Sequence, residues 1–335
     1  MKKLKLLLLL AIVSCTDPIE TTEIGYDFSS ANILTFNDES GIIGYGKQSN
    51  GNASFVSIDD LYRKAIIKLG ESQTEEEHSK ILEEYKDVLV LKDSTYVPLL
   101  GNVTYRKIIN RDRLYVSANY VHKVIDDQYI IFTEKENVNT LLKLESPKGI
   151  NEDIFRVVKY QDSFKTEINE GSIQSGRTNA NCGSNLIADY FDNHGGCSDD
   201  RRAYVRAYSY FIISGYYYTP AVFSECWAEI RNWRCNWNQY TNVLHSKNTS
   251  FTVSMNINNS TLSYNSGYIP DYSGTGYEWE HVIWGTTSGG SPVGPSTYWN
   301  NGPSPTIQFS AIHMESSSQG VGANIPGHWA VIHCQ

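Results

Sequence analysis

The feature that most constrains the fold is a strict two-residue alternation over residues 203–210. Tyrosine or arginine stands at the even positions, and alanine, valine or serine stands at the odd ones. Successive side chains of a β-strand point to opposite faces, so this pattern predicts a strand with two different faces. A similar alternation returns at 251–257, and segments rich in Gly, Ser and Pro, such as 286–295, separate the runs. Residues 182–335 are therefore predicted to form an all-β, β-sandwich-like domain.

Residues 31–162 predict a small α+β domain instead. A hydroxyl residue followed three positions later by an acid is typical of a helix start, and it occurs at Ser57 and again at Ser72. Apolar residues at helical spacing follow, so we expect two helices. The acidic turn that contains His78 is interpreted as solvated. The predicted helices span 57–70 and 74–87, and a predicted antiparallel meander uses 105–109, 113–116, 122–125 and 129–134.

The first fifteen residues predict an export signal. Three lysines precede an apolar run at residues 6–13, which is too short to cross a ~30 Å hydrocarbon layer at about 1.5 Å per residue. These are the proportions of a secretory signal peptide, with a chance cysteine after it as the simpler alternative. Residues 12–15, Ile-Val-Ser-Cys, resemble a bacterial lipobox. The resemblance implies a lipid on Cys15 as the only membrane attachment and, with Thr16 next, an outer-membrane location.

The segments between these units are predicted from composition. Residues 1–14 would be removed as the signal peptide, residues 15–30 would form a polar tether, and residues 163–181, rich in Ser, Gly, Asn and Thr, would link the domains. Without the three leading lysines, 25 basic and 37 acidic residues leave a net charge of −12. A strongly acidic chain without a basic block argues against a nucleic-acid partner.

The cysteines fit an oxidising compartment. Apart from Cys15, five cysteines lie in the last 154 residues, which allows two disulfides and one remaining thiol. A turn at residues 230–231 would place Cys226 opposite Cys235 at disulfide distance, although this is one of fifteen arrangements. No CxxC pair occurs, so we expect neither a zinc site nor another cofactor. The other members of the proposed arrangement are Cys182 and Cys197 as a second bridge, with Cys334 as the thiol.

Two further segments carry a resemblance to a known family. Residues 197–202, Cys-Ser-Asp-Asp-Arg-Arg, open the tyrosine-alternating strand, and residues 233–240 read Trp-Arg-Cys-Asn-Trp-Asn-Gln-Tyr. With the lipobox and the domain order, they resemble an uncharacterised lipoprotein family of Bacteroidota-type bacteria, a domain of unknown function. The resemblance covers most of the mature chain and implies an envelope location, and it supplies no catalytic residues.

Aromatic residues suggest a binding surface. All seven tryptophans lie between Trp227 and Trp329, in the charge-poor part of the chain. Aromatic rings bind sugars and peptides over a large area, although they also fill cores. Trp233 and Trp237 share a strand face with Cys235 and are predicted to be buried. We therefore expect a non-enzymatic module that binds a glycan or a protein. Its candidate binding residues, which lie nearer to loops, are Tyr216, Tyr217, Tyr218, Trp284 and Trp299.

Two enzymatic alternatives stay open. Glu278 and Glu280 are two positions apart, about 6.5–7 Å on a strand, which overlaps the carboxylate separation of an inverting glycosidase. Cys182 and His328 lie in segments that faintly resemble the nucleophile and histidine motifs of papain-type peptidases. Asn185 stands where that family has a cysteine, however, and no tryptophan follows.

Histidines concentrate near the C-terminus. Four of them lie in the last 55 residues. His328 and His333 are five positions apart, so on one strand they would face opposite sides. Joining His313 to either of them requires a strand pairing that the sequence does not reveal.

Overall fold

The computed structural model describes most of the chain from residue 32 onward. The described residues are 32–46, 55–92, 94–161, 185–192, 200–231, 234–240, 242–266, 269, 271–276, 278–284, 297–318 and 329–334. The predicted signal peptide, tether and linker lie outside them, as do Cys15, Cys182, Cys197, Trp233 and His328. Within the described ranges, no helix combines the length and apolarity that crossing a membrane requires.

The fold class follows the expectation in its coarse form. Across the residues described, every helix lies before residue 143 and only strands follow. In chain order the elements are β1 (Thr35–Phe36), α1 (Glu39–Gly46), α2 (Ile58–Glu71), α3 (Glu75–Glu84), β2 (Leu89–Lys92), β3 (Thr95–Pro98), α4 (Val103–Ile108), β4 (Leu114–Ser117), β5 (Tyr120–Val124), β6 (Tyr129–Glu134), α5 (Val138–Leu142), β7 (Arg156–Lys159), β8 (Asn185–Asp192), β9 (Arg201–Ser214), β10 (Tyr217–Arg231), β11 (Trp237–Gln239), β12 (Asn242–Ile257), β13 (Ser260–Asn265), β14 (Tyr272–Gly276), β15 (Glu278–Trp284), β16 (Thr297–Tyr298), β17 (Thr306–Ser318) and β18 (Ala330–Cys334).

The two helices predicted from hydroxyl caps are present as α2 and α3. Ser57 caps α2, because its side chain accepts from the backbone N–H of Asp60, whose carboxylate accepts from the N–H of Ser57. The cap of α3 is Thr74 rather than Ser72. Ser72 instead ends α2 and donates to the carbonyl of Leu69. The prediction was correct about both helices and wrong about the second cap by two residues.

His78 is not part of a solvated turn, as the sequence interpretation had it. It is buried on the inner side of α3, with Nδ1 3.2 Å from the Ser72 hydroxyl and Nε2 2.7 Å from the Tyr96 hydroxyl. The three glutamates before it occupy the exposed first turn of the helix. The acidic run hides the periodicity, since only every third or fourth residue of a helix faces the core.

Three of the four strands of the predicted meander are present. Its last three members are β4, β5 and β6, whereas residues 105–109 belong to helix α4 and its end. Asn102 caps this helix by accepting from the N–H of Tyr105 at 3.2 Å. Five of the six residues of α4 are buried, so the segment lacks the polar face that distinguishes a helix from a strand in a sequence. The first sheet has the order β1-β4-β5-β6-β7.

The remaining strands form two larger sheets. The central sheet has the order β2-β3-β11-β10-β9-β8, with β15 and β16 also paired to β10, and the outer sheet has the order β13-β12-β17-β18, with β14 paired to β12. The hairpin β2–β3 belongs to the first predicted domain, yet β3 joins the central sheet through the pairing of Thr95 with Trp237. One sheet is therefore built from both sides of the predicted linker.

The two faces of strand β9 pack against different parts of the protein, which explains its alternation of small and large residues. On one side, the hydroxyl of Ser209 donates to the carbonyl of Ile307 in the outer sheet at 3.3 Å. On the other side, the hydroxyl of Tyr208 accepts from the N–H of Val103 at 3.0 Å. The small residues of β9 thus pack against the outer sheet, and its tyrosines and arginines pack against residues 32–161, which we call the N-terminal half. The main hydrophobic core runs from Phe36 to Ile332 and is shared by both predicted domains. The domain boundaries themselves stay a prediction.

Charged residues are buried in pairs where the central sheet meets the N-terminal half. Arg202 contacts Glu229 at 2.6 Å, and Arg206 contacts Glu225 four residues along the same face. The Arg202 guanidinium also lies 4.1 Å from the ring centroid of Trp237, which is buried as predicted. A buried carboxylate without a partner costs several kcal/mol, so each of these charges depends on its neighbour.

The proposed bridge between Cys226 and Cys235 is wrong. Glu229 pairs with Gln239, so the β10–β11 connection turns around residue 234 rather than at 230–231. Cys235 consequently lies in the turn with a positive φ, and it is disulfide-bonded. Cys226 is a buried thiol on β10 outside any disulfide. Cys334 is described only through the backbone of β18.

Candidate ligand-binding surface

The long β9–β10 hairpin ends in a two-residue turn, Gly215–Tyr216, between the paired Ser214 and Tyr217. Gly215 has a φ of +55°, which residues other than glycine rarely adopt. A Cβ at this position would lie 2.7 Å from the ring of Tyr120. Both the backbone conformation and the close approach therefore require glycine at residue 215.

A buried histidine fixes the same turn. The N–H of Gly215 donates to Nε2 of His122 at 3.0 Å, which places the proton of the neutral ring on Nδ1. The His122 ring stacks on Tyr115 with centroids 4.4 Å apart and an interplanar angle of 11°. Burial lowers the pKa of His122 to about 3, so the ring stays neutral and keeps accepting at ordinary pH.

The turn presents three consecutive tyrosines with different surroundings. Tyr216 is half-buried, with its ring 5.3 Å from that of Phe132, and its hydroxyl accepts from Nε of Arg156 at 3.1 Å. Tyr217 is 46% exposed. Tyr218 was predicted as a binding residue and is instead buried against Trp299, with ring centroids 5.6 Å apart. Consecutive strand residues point to opposite faces, so Tyr217 and Tyr218 cannot both reach solvent on one side.

The exposed partner of Tyr217 is a residue that sequence reasoning missed. Tyr298 lies directly opposite Tyr217 in the β10–β16 pairing and is 53% exposed. The two ring centroids are 5.6 Å apart at an interplanar angle of 72°. The predicted Trp299 is only 8% exposed and donates from Nε1 to the carbonyl of Gly302. The sequence signal that separates residues 298 and 299 is strand alternation, whereas proximity to a loop applies equally to both. We call Tyr216, Tyr217 and Tyr298 the tyrosine patch.

Asparagines surround the tyrosine patch. Asn258, in the β12–β13 turn, donates from Nδ2 to the carbonyl of Tyr298 at 2.8 Å and accepts from the N–H of Asn300 at 3.3 Å. Asn259 and Asn301 are exposed beside them and have positive φ, a conformation that asparagine tolerates well. The rim of the patch thus offers uncharged amide donors and acceptors.

The predicted carboxylate pair lies on β15, which pairs with another part of β10. Strand β15 places Glu278 opposite Trp227 and Glu280 opposite Glu225, so the two positions share one face of the sheet as predicted. Trp284 pairs with Ala221 at the end of the same strand. The side chains of residues 278–284 lie outside the structural description. The glycosidase and peptidase alternatives stay predictions. Among the residues described, no group of three or more His, Cys, Asp or Glu side chains could hold a metal ion.

Comparison with known proteins gives little further information. No protein-family model matches the chain. No curated protein matches it either. Among solved structures, it is similar to the crystal structure of a DUF4848 family protein from Bacteroides thetaiotaomicron, at 10% identity and a TM-score of 0.25, over 90% of this chain and 96% of the other. A likeness at this TM-score carries no argument about fold or activity.

Proposed function

We propose that the protein is a lipid-anchored cell-envelope protein that binds a neutral glycan at the tyrosine patch. The observation that carries the binding part is the pair formed by Tyr217 and Tyr298, two rings that are about half exposed and 5.6 Å apart on adjacent strands. The anchor part rests on the signal-like start and the lipobox-like residues before Cys15.

The geometry of the pair suits a sugar. Its rings meet at 72°, so they form a corner rather than a flat stack. A pyranose can place its C–H face on one ring and its edge against the other, which removes apolar area from water on both. The strands and the Gly215 turn hold the rings in place, so binding orders few side chains.

The polarity of the rim favours a neutral ligand. Asn259 and Asn301, the exposed chain neighbours of the internally hydrogen-bonded Asn258 and Asn300, supply amide groups that match the hydroxyls of a sugar in both donor and acceptor roles. The guanidinium of Arg156 is engaged with the Tyr216 hydroxyl behind the patch. A mature net charge of −12 also disfavours an anionic ligand through long-range repulsion.

The test is calorimetric titration of the full chain with neutral oligosaccharides chosen from a glycan array. We expect Tyr217→Ala and Tyr298→Ala each to weaken binding at least tenfold, because each removes one wall of the corner, and a central aromatic contact is worth about 2 kcal/mol or more. Leu91→Ala is the matched control, since Leu91 is a similarly exposed apolar residue (42%) on β2.

Two outcomes would contradict the proposal. One is an array on which no neutral glycan binds while a pull-down recovers a protein that needs Tyr217, which would make the patch a protein-binding surface. The other is glycan binding that both tyrosine variants retain at full strength, which would place the sugar elsewhere.

A further inference from the structure

The outer sheet brings together two histidines that the sequence could not connect. Strands β17 and β18 are antiparallel, and their register places His313 directly opposite His333. The Nδ1 atoms of the two rings are 3.1 Å apart, and the ring planes are inclined at 73°. Both side chains are half-buried, so the pair is accessible from solvent.

A carboxylate fixes the orientation of one ring. Nε2 of His313 lies 3.0 Å from Oε1 of Glu315, two residues along the same strand face. In the neutral ring the proton is then on Nε2, which donates to the carboxylate, and Nδ1 of His313 accepts the Nδ1–H of His333. A bound ion takes the place of this shared proton, which moves to Nε2 of His333 or to solvent. Oε2 of Glu315 is 3.5 Å from Nζ of Lys247 on β12, and this ammonium group lies 3.9 Å from the ring centroid of Trp329. The position of Glu315 is therefore fixed from its other side.

The distance between the two nitrogens suits a common metal ion. Imidazole nitrogens bind Zn²⁺ at about 2.0–2.1 Å. For two nitrogens 3.1 Å apart, the N–metal–N angle at an ion bound equally to both would be about 100°. This value lies between the octahedral and the tetrahedral angle. A carboxylate on the distal nitrogen of a ligating histidine is the usual support of such a site. We propose that His313 and His333 chelate a transition-metal ion through their Nδ1 atoms, with Glu315 orienting His313.

The chemistry of the pair determines which ions it takes. Two imidazoles select ions that prefer nitrogen, with Cu²⁺ ahead of Zn²⁺, and they do not bind the oxygen-seeking Mg²⁺ or Ca²⁺. No group of three His, Cys, Asp or Glu ligands occurs in the described part of the chain, so water completes the coordination and the affinity is modest. Strand β18 is the end strand of the outer sheet. The ion therefore ties the end strand to its neighbour β17.

The experiment uses the untagged full chain after treatment with a chelator and dialysis. Titration with Cu²⁺ and Zn²⁺ is followed by calorimetry and by the unfolding temperature, which ion binding raises. We expect His313→Ala and His333→Ala each to lower the affinity at least tenfold, and Glu315→Gln to lower it about tenfold or more. His281→Ala is the control, because His281 lies on β15, which pairs with β10 in the central sheet rather than with β17, and the substitution should leave the affinity unchanged.

Electron paramagnetic resonance of the Cu²⁺ form counts the nitrogen ligands directly, with two expected in the unaltered protein and one in each single variant. The circular dichroism of the ion-free variants shows whether they are folded, and His313→Gln and His333→Gln serve where the alanine variants are not. The proposal is overturned if the unaltered chain binds neither ion, or if a folded variant without both histidines binds Cu²⁺ as tightly.

Discussion

The ring of His122 connects β5 of the first sheet to the hairpin turn of the central sheet. Its Nε2 accepts from Gly215, and its face lies on Tyr115, so it contributes both a hydrogen bond and packing area. Burial disfavours the charged ring and lowers its pKa to about 3, from an ordinary value near 6.5. In the unfolded chain the ring gains a proton as the pH falls below 6.5, whereas in the folded protein it does not until about pH 3.

This difference predicts an acid-sensitive contribution to stability. Between pH 6.5 and pH 3 the unfolded state binds the extra proton, so the free energy of unfolding falls as the pH falls, by up to about 1.4 kcal/mol per pH unit from His122. Urea unfolding at pH 7, 6, 5 and 4 measures the slope, which His122→Gln should flatten because its amide does not titrate.

Asp127 must be considered in the same range. Burial raises its pKa to about 6, so its contribution is present at low pH and is lost as the pH rises through 6, opposite to that of His122. Asp127 is present in the unaltered protein and in His122→Gln. The difference between the two slopes of unfolding free energy against pH therefore comes from His122. Parallel pH curves for the unaltered protein and His122→Gln would refute the assignment.

At the scale of elements, the β9–β10 hairpin determines where the tyrosine patch lies. Its two-residue turn directs Tyr217 toward Tyr298 and Tyr216 toward the first sheet. Alternation along β10 then decides which of the tyrosines is buried. A change in the turn should therefore affect both stability and ligand binding.

Gly215→Ala tests this dependence. The substitution forces an L-residue to a φ of +55° and brings its Cβ to 2.7 Å from the Tyr120 ring. We expect a loss of about 2–4 kcal/mol in the free energy of unfolding, from strain and steric overlap together, and weaker glycan binding. Denaturant unfolding and the titration described above measure the two effects.

Gly149→Ala provides a matched control for strain alone. Gly149 has a φ of +72°, but a Cβ there would meet no atom within 4 Å. Its substitution should cost about 1 kcal/mol and leave binding intact. If Gly215→Ala cost no more than Gly149→Ala, the packing of Tyr120 against the turn would have no energetic role.

At the scale of the whole molecule, the chain assembles one continuous core across its predicted linker. The hairpin β2–β3 adds to the central sheet, and β9 packs between the outer sheet and the N-terminal half. Any attachment at Cys15 would reach this body through residues 15–30. The proposed lipid would therefore be attached at the N-terminus, away from the core residues described.

Cys15→Ser tests the anchor. A serine cannot take the thioether-linked lipid, so the variant should move from the membrane fraction to the soluble fraction when cells of the native host are fractionated. Circular dichroism of the soluble variant shows whether it is folded. Equal partition of both proteins into the membrane fraction would exclude the lipid anchor as the cause of localisation.

Local patterns in the sequence determined the helices α2 and α3, the strands β4 to β6 and β9, and the burial of Trp237, because capping and strand alternation act over a few residues. Among the loop-proximal aromatic candidates from the sequence, Tyr217 is exposed, whereas Tyr218 and Trp299 are buried. Long-range strand register decided the rest: that Tyr298 rather than Trp299 accompanies Tyr217, that Cys226 and Cys235 are apart, and that His313 meets His333. These contacts depend on pairings between distant segments. A one-residue change of register would move every side chain of a strand to the opposite face of the sheet, and local sequence patterns do not specify the register.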